Sequence, residues 1–241
     1  MSSTITITFG DRGENHAGME IIGKEVDKGM SYEDLQRIKK YFEENGVVCE
    51  LINLKYNEET PDAYILIVRD AFEDVEKYWN ELIELNYDKM AKMKGKVVNK
   101  HARWNLCFSD IEQEPDYEEG KGRIVNFKYL PYLNGLRKFL MEDLQFPELV
   151  AEANYYFDVK KCGIGYHGDA ERKITIGFRL GASMPLRYAW YKKSKRINEP
   201  VEFMLNNGDL YFMEEKAVGR DWKKSSIYTL RHAAGCEKYI K

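Results

Sequence analysis

Ile174-Thr175-Ile176-Gly177-Phe178-Arg179-Leu180-Gly181-Ala182 is an apolar run of branched and aromatic residues that ends in a glycine turn. Runs of the same character surround it at Asn154 to Val159, Leu186 to Tyr191, Val201 to Leu205, Leu210 to Met213 and Ile227 to His232, separated by turn residues. Many short strands at regular spacing predict a sandwich or barrel from Ala153 onward. A helix over Pro131 to Leu144 precedes them, with proline in its first turn and Leu133, Leu136, Leu140 and Leu144 as its apolar stripe. The acidic stretch Asp110 to Lys121, with Pro115 and Gly120, reads as a surface loop.

The first third alternates strand and helix signals. Ile5, Ile7 and Phe9 alternate as in a strand, and Val47 to Leu54 and Ala63 to Val68 read as two more. Ser31 and Asp34 open an amphipathic helix carrying Leu35, Ile38 and Phe42, which Gly46 closes as a left-handed cap. Phe72, Val75, Trp79, Leu82 and Ile83 give a second helix. Gly10-Asp11-Arg12-Gly13 lacks the lysine and helix start of a phosphate loop and is read as a tight turn.

Composition excludes several classes. In 241 residues, 44% are apolar and 32% charged, so the chain is globular and not disordered. With 37 basic and 40 acidic residues, any nucleic acid must be held by a local patch. The longest apolar stretch, Ala63 to Val68, falls well short of the ~20 residues of a membrane span. Cys49, Cys107, Cys162 and Cys236 form no C-x-x-C and are expected as free thiols, which suits an intracellular, soluble protein of cytoplasm or nucleus.

Of four histidines, His167 stands out, in Gly165-Tyr166-His167-Gly168-Asp169. In an extended segment, residues one apart lie on the same face, so this imidazole and carboxylate can chelate one metal. With a distant histidine they would form the facial triad that binds Fe(II) and leaves positions open for an oxoacid and dioxygen.

At this point the chain, from about Lys100 to about Gly235, resembles the AlkB-like Fe(II)/2-oxoglutarate-dependent dioxygenases. The match consists of Asn154-Tyr155-Tyr156 before His167-Gly168-Asp169, then Ile174 to Ala182, then Gly208-Asp209-Leu210-Tyr211-Phe212-Met213, then a closing strand at Tyr228-Thr229-Leu230-Arg231. The resemblance implies an α+β protein with a double-stranded β-helix (jelly-roll) core over residues 96–241, behind an amino-terminal α/β extension over residues 1–95. It implies Fe(II) on His167 and Asp169, with Asn154 and Tyr156 on 2-oxoglutarate and Arg231 on its distal carboxylate. The implied activity is hydroxylation or demethylation of a nucleic-acid base or nucleotide, with DNA or RNA as partner. A hydroxylase of protein side chains or metabolites and a non-catalytic binding module are the alternatives.

The chain departs from the family at the second iron histidine, whose expected place holds Lys224, while a second family arginine is Ser225. His232 is the remaining histidine of that region. Because strand side chains alternate, His232 as ligand would turn Arg231 outward and leave the carboxylate to another cation, Lys238 or Lys224. Arg103 and Trp104 are candidates for clamping a substrate base, and Arg187, Lys192, Lys193, Lys195 and Arg196 for contacting phosphates. His16 is read as structural.

Overall fold

The structure is a computed structural model that describes residues 2–241. The first half of the chain runs β1 (Thr4–Gly10), β2 (Arg12–Glu14), β3 (Ile21–Gly23), α1 (Tyr32–Glu44), β4 (Cys49–Asn53), β5 (Tyr64–Val68), α2 (Val75–Ile83), β6 (Met90–Met93), β7 (Lys96–Asn99), β8 (Trp104–Ser109) and β9 (Ile124–Asn126). The second runs α3 (Pro131–Glu142), β10 (Val150–Tyr156), β11 (Gly163–His167), β12 (Thr175–Gly181), β13 (Met184–Lys192), β14 (Lys195–Arg196), β15 (Val201–Leu205), β16 (Leu210–Met213), α4 (Glu215–Val218), β17 (Thr229–Gly235) and α5 (Glu237–Ile240).

Local sequence accounts for the helices. Ser31 Oγ accepts from the Asp34 backbone N–H while Asp34 accepts from the Ser31 N–H, a reciprocal cap that satisfies two otherwise orphaned donors at the start of α1. Gly46 stands at φ +78° just beyond its end. Pro131 occupies the first turn of α3, where no intrahelical N–H is needed.

These helices cover one face of an eight-stranded sheet of order β4-β5-β16-β12-β1-β10-β8-β9. Leu35, Ile38 and Phe42 of α1 and Leu133, Leu136 and Leu140 of α3 pack with Ile5, Ile7 and Phe9 of β1 and Phe178 of β12 in one core. Full burial of each such side chain is worth roughly 1.5–3 kcal/mol. A smaller sheet, β11-β17-β13 with β14 and β15 both on the edge of β13 away from β17, faces the opposite side of the large sheet. Tyr156, Tyr211 and Met213 of the large sheet meet Leu186, Tyr188, Trp190 and Leu230 of the small one in a second core. The fold is therefore α+β, a two-sheet sandwich with helices on one outer face.

β1 is buried along its whole length because it lies between β10 and β12 with both its faces covered. Its apolar residues Ile5, Ile7 and Phe9 face the helices, and its threonines line the gap between the sheets. The sheet has no break at residue 95. β1, β4 and β5 belong to the same sheet as β8 to β10, β12 and β16. Nor is Tyr228 to Arg231 part of a strand that closes the large sheet. β17 pairs with β11 and β13 in the small one, and the central place in the large sheet belongs to β1.

Candidate metal and oxoacid site

A cavity of about 310 Å³ opens between the two sheets. The inward faces of five strands, β8, β10, β1, β12 and β16, form its floor in register. Asn105, Asn154, Thr6 and Arg179 make one cross-strand row, and Glu152, Thr8, Gly177 and Tyr211 the next. A Cβ on Gly177 would lie 1.9 Å from the Tyr211 ring, so the absence of a side chain there lets the phenol cross the floor.

On the facing wall, His167 and His232 are direct partners across the β11–β17 ladder, with ring centroids 4.5 Å apart. Asp169 follows on the turn after β11. Its backbone N–H donates to Val218 at 3.0 Å, and its Oδ2 accepts from Thr175 Oγ1 at 3.1 Å. Its Oδ1 faces both imidazoles, 3.6 Å from His167 Nε2 and 3.5 Å from His232 Nε2. His167 Nδ1 donates to the Gly165 carbonyl at 2.8 Å, which leaves the Nε2 lone pair directed at the cluster. Between them, Gly168 is required by the backbone of Gly219, whose carbonyl oxygen would sit 2.0 Å from a Cβ.

Burial, then the neighbouring His232, pushes the His167 imidazole down to about 3. Burial alone would raise Asp169, but Arg172, the His232 hydrogen bond and the two imidazoles hold its carboxyl well below the usual range. Neutral imidazole beside ionised carboxylate is the protonation state a metal requires. One ligand atom from each of the three residues lies within 4.8 Å of the others. Donors bound at 2.0–2.2 Å to one ion stand about 3–3.5 Å apart at tetrahedral to octahedral angles, close to the 3.6 and 3.5 Å between Asp169 Oδ1 and the two imidazole nitrogens.

The remaining expected residues divide. Asn154, Tyr156 and Arg103 line the cavity, with Arg103 Nε donating to Asn154 Oδ1 at 2.6 Å. Trp104, the next residue, points the other way and packs on Phe157 at 4.6 Å, so it cannot clamp anything held in the cavity. Arg231, neighbour of the inward His232, is turned out and sits over Tyr191 at 4.1 Å and Trp222 at 5.3 Å. Lys238 lies on α5 with its ammonium over Tyr239, and Lys224 is exposed; neither lines the cavity. The expected carboxylate anchors are thus all outside it. Of the basic stripe, Arg187 is paired with Glu202 at 2.6 Å and Lys192 sits over Tyr228.

Several residues of the cavity went unread in the sequence. Arg179 and Arg172 are almost wholly buried. Arg172 is held by Glu152 at 2.7 Å and Glu171 at 2.6 Å, whereas Arg179 has no side-chain partner on Nε or Nη1. Glu14, at the rim, is raised to about 7 by burial and by the charges of Glu171 and Glu152. The signal for Arg179 was a lone charge in the middle of an apolar strand.

No family model matches the chain. It is 47% identical over 250 aligned positions to an uncharacterized protein of Acanthamoeba polyphaga mimivirus, with 100% of this chain and 99% of that protein covered. The chain belongs to the family of that mimiviral protein. Chain and mimiviral relative match from end to end, so the amino-terminal strand that floors the cavity lies within the shared region.

Proposed function

We propose that the protein is an Fe(II)- and 2-oxoglutarate-dependent dioxygenase built on a jelly-roll core. The observation that carries the reading is the convergence of His167, Asp169 and His232 on the wall of a cavity whose opposite wall bears Asn154, Tyr156 and a buried arginine. The strand order supports the core. From β10 onward the chain passes back and forth between the sheets, with β10, β12 and β16 in the large one and β11, β13 to β15 and β17 in the small one, and β1 joins β10, β12 and β16 as a fourth strand of the large sheet.

Iron held by the three residues would supply the activation of dioxygen coupled to oxidative decarboxylation of the oxoacid. The protein's own contribution is position and charge. His167 remains neutral and Asp169 ionised, so both can ligate without losing a proton first. Asn154 is fixed by Arg103 and Asn105, which donate to its Oδ1 at 2.6 and 2.9 Å, and its amide N–H₂, which makes one long 3.5 Å bond to Glu152 Oε1, keeps a second hydrogen for an incoming oxoacid. Tyr156, 3% exposed, offers a phenol whose ionisation burial suppresses, so it acts as a hydrogen-bond donor. The apolar packing of Leu186, Tyr211 and Met213 around the cavity limits water.

As substrate we favour a small polar molecule or a protein side chain over a nucleic acid. Glu152 and Glu171 neutralise Arg172 inside the cavity and Glu202 neutralises Arg187 of the outer basic stripe, which weakens the pull on a phosphate backbone. Succinate release from 2-oxoglutarate with Fe(II), measured for the wild type and for His232→Ala, tests the reading. Activity in the wild type alone supports it, and no turnover in either, uncoupled turnover included, refutes it.

A further inference from the structure

Arg179 is 1% exposed, yet its Nε and Nη1 find no hydrogen-bond partner among the described residues. A guanidinium in this position is costly, because removal from water is not offset by pairing. The acid closest in the strand ladder does not offset it. Asp209 exchanges only backbone hydrogen bonds with the Arg179 region, and its carboxylate is taken by Arg69 at 2.6 Å. Directly across the β1–β12 ladder stands Thr6, whose Oγ1 is also buried and also without a partner. Two adjacent residues thus present three unsatisfied polar atoms in the floor of one cavity, and a hydroxyl beside a planar guanidinium is the donor set for a carboxylate.

The floor also gives the ligand a direction. Thr175 and Arg179 share one face of β12, four residues apart and so ~13 Å along the strand. Thr175 is hydrogen-bonded to Asp169 of the metal cluster. A ligand that touches both ends of this face is elongated and carries its acid at the end remote from the metal. Tyr156 and Tyr211 stand beside Arg179, and burial keeps both phenols protonated, so they put no negative charge on the guanidinium.

We infer that Arg179 and Thr6 form a carboxylate subsite, which on the dioxygenase reading, on which this assignment rests, receives the distal carboxylate of 2-oxoglutarate. The role given by resemblance to Arg231 then passes to β12, and the amino-terminal strand becomes part of the binding site. The unpaired guanidinium is the expected state of a site that is complete only with its anion.

The test uses the full chain in two forms. With Mn(II) loaded as an oxygen-stable ion, calorimetry measures 2-oxoglutarate and, as the control without a distal carboxylate, 2-oxobutyrate. Arg179→Met should weaken 2-oxoglutarate by about 10- to 100-fold, the range for losing hydrogen bonds to a charged group, and leave 2-oxobutyrate and Mn(II) unchanged. Arg179→Lys should recover part of the loss, Thr6→Val should cost about 3- to 10-fold, and Arg231→Gln should cost nothing. The ligand-free Arg179→Met protein should melt no lower than wild type, since it loses a charge without a partner. Without metal, glutarate titrated by NMR should bind the wild type and not Arg179→Met.

Unchanged 2-oxoglutarate affinity in Arg179→Met overturns the subsite and leaves the dioxygenase reading standing. Binding of glutarate that depends on Arg179, in a protein that takes up no 2-oxoglutarate with Mn(II), keeps the carboxylate subsite and removes the dioxygenase. Failure of both ligands to bind removes both.

Discussion

His167 and His232 face one another across the β11–β17 ladder, and the register that pairs them brings both Nε2 atoms to the same oxygen of Asp169. Register is specified by which side chains must be buried, here Leu230, His232 and Ala234 on the inner face of β17. The cluster of His167, Asp169 and His232 is in that sense a product of the small sheet's packing. His232→Ala should abolish Mn(II) binding in calorimetry, whereas Lys224→Ala should bind as the wild type does. Retained Mn(II) affinity in His232→Ala would exclude it as a ligand.

Gly168 lies between the ligands, and its Cα is packed against Gly219. Gly168→Ala should part the turn after β11 from the end of α4, break the Asp169 N–H bond to Val218, and weaken the metal at least tenfold. Overpacking against backbone should also lower stability by about 1–3 kcal/mol in urea unfolding. Wild-type metal affinity in this variant would mean that the turn is looser than the contact indicates.

Glu14 carries a pH dependence with a definite sign. Its folded carboxyl is raised from 4.5 to about 7, so between these values the folded state holds a proton that the unfolded state has released. Its contribution is fully present below pH 4.5 and is lost as pH rises towards 7. Glu14→Gln should therefore gain stability relative to wild type across that window in parallel urea titrations. A difference that stays flat from pH 4.5 to 7 would contradict the raised carboxyl.

Asp11, in the turn read from Gly10 to Gly13, is fully buried and pins three strand connections. Its Oδ1 accepts from the backbone N–H groups of Lys173 and Ile174 at 2.9 Å each, and its Oδ2 from that of Val26 at 3.2 Å. Asp11→Ala should destabilise by about 3 kcal/mol or more, since each bond to a charged acceptor is worth roughly 1.5–3 kcal/mol. Asp11→Asn, which keeps Oδ1, should cost less. Equal unfolding midpoints for Asp11→Ala and wild type would remove this role.

What the sequence made legible was local. Ser31 with Asp34, Gly46 and Pro131 mark helix ends because capping is settled within a few residues. The same holds for His167 and Asp169, and for the alternation that sets His232 against Arg231. Two things were not legible. β1 reads as an ordinary strand, and nothing local to Ile5, Ile7 and Phe9 says that their partners are Ala153 and Phe178. The resemblance made the last strand the closing one and gave Arg231 the distal carboxylate, while the alternation with His232 as ligand turned Arg231 outward, as it stands over Tyr191 and Trp222. Arg179 was overlooked for a related reason: its burial depends on Thr6 and Tyr211, which lie far from it along the chain.

The placement of β1 also bears on how the protein is made. The strand leaves the ribosome well before its partners β10 and β12, which begin at Val150 and Thr175. At ~5–20 residues per second, the wait before β12 has been synthesised is on the order of 10–30 s. Throughout that interval the centre of the large sheet cannot form, and Ile5, Ile7 and Phe9 have no permanent cover. Contacts so distant in sequence make for slow folding, and an unpaired apolar strand invites association with other chains. Co-translational folding should therefore leave the β4–β5 hairpin and α1 formed early, with the sheet closing only as the final strands appear. Yield of folded protein should consequently be more sensitive to changes in β1 than to changes of equal stability cost in β4.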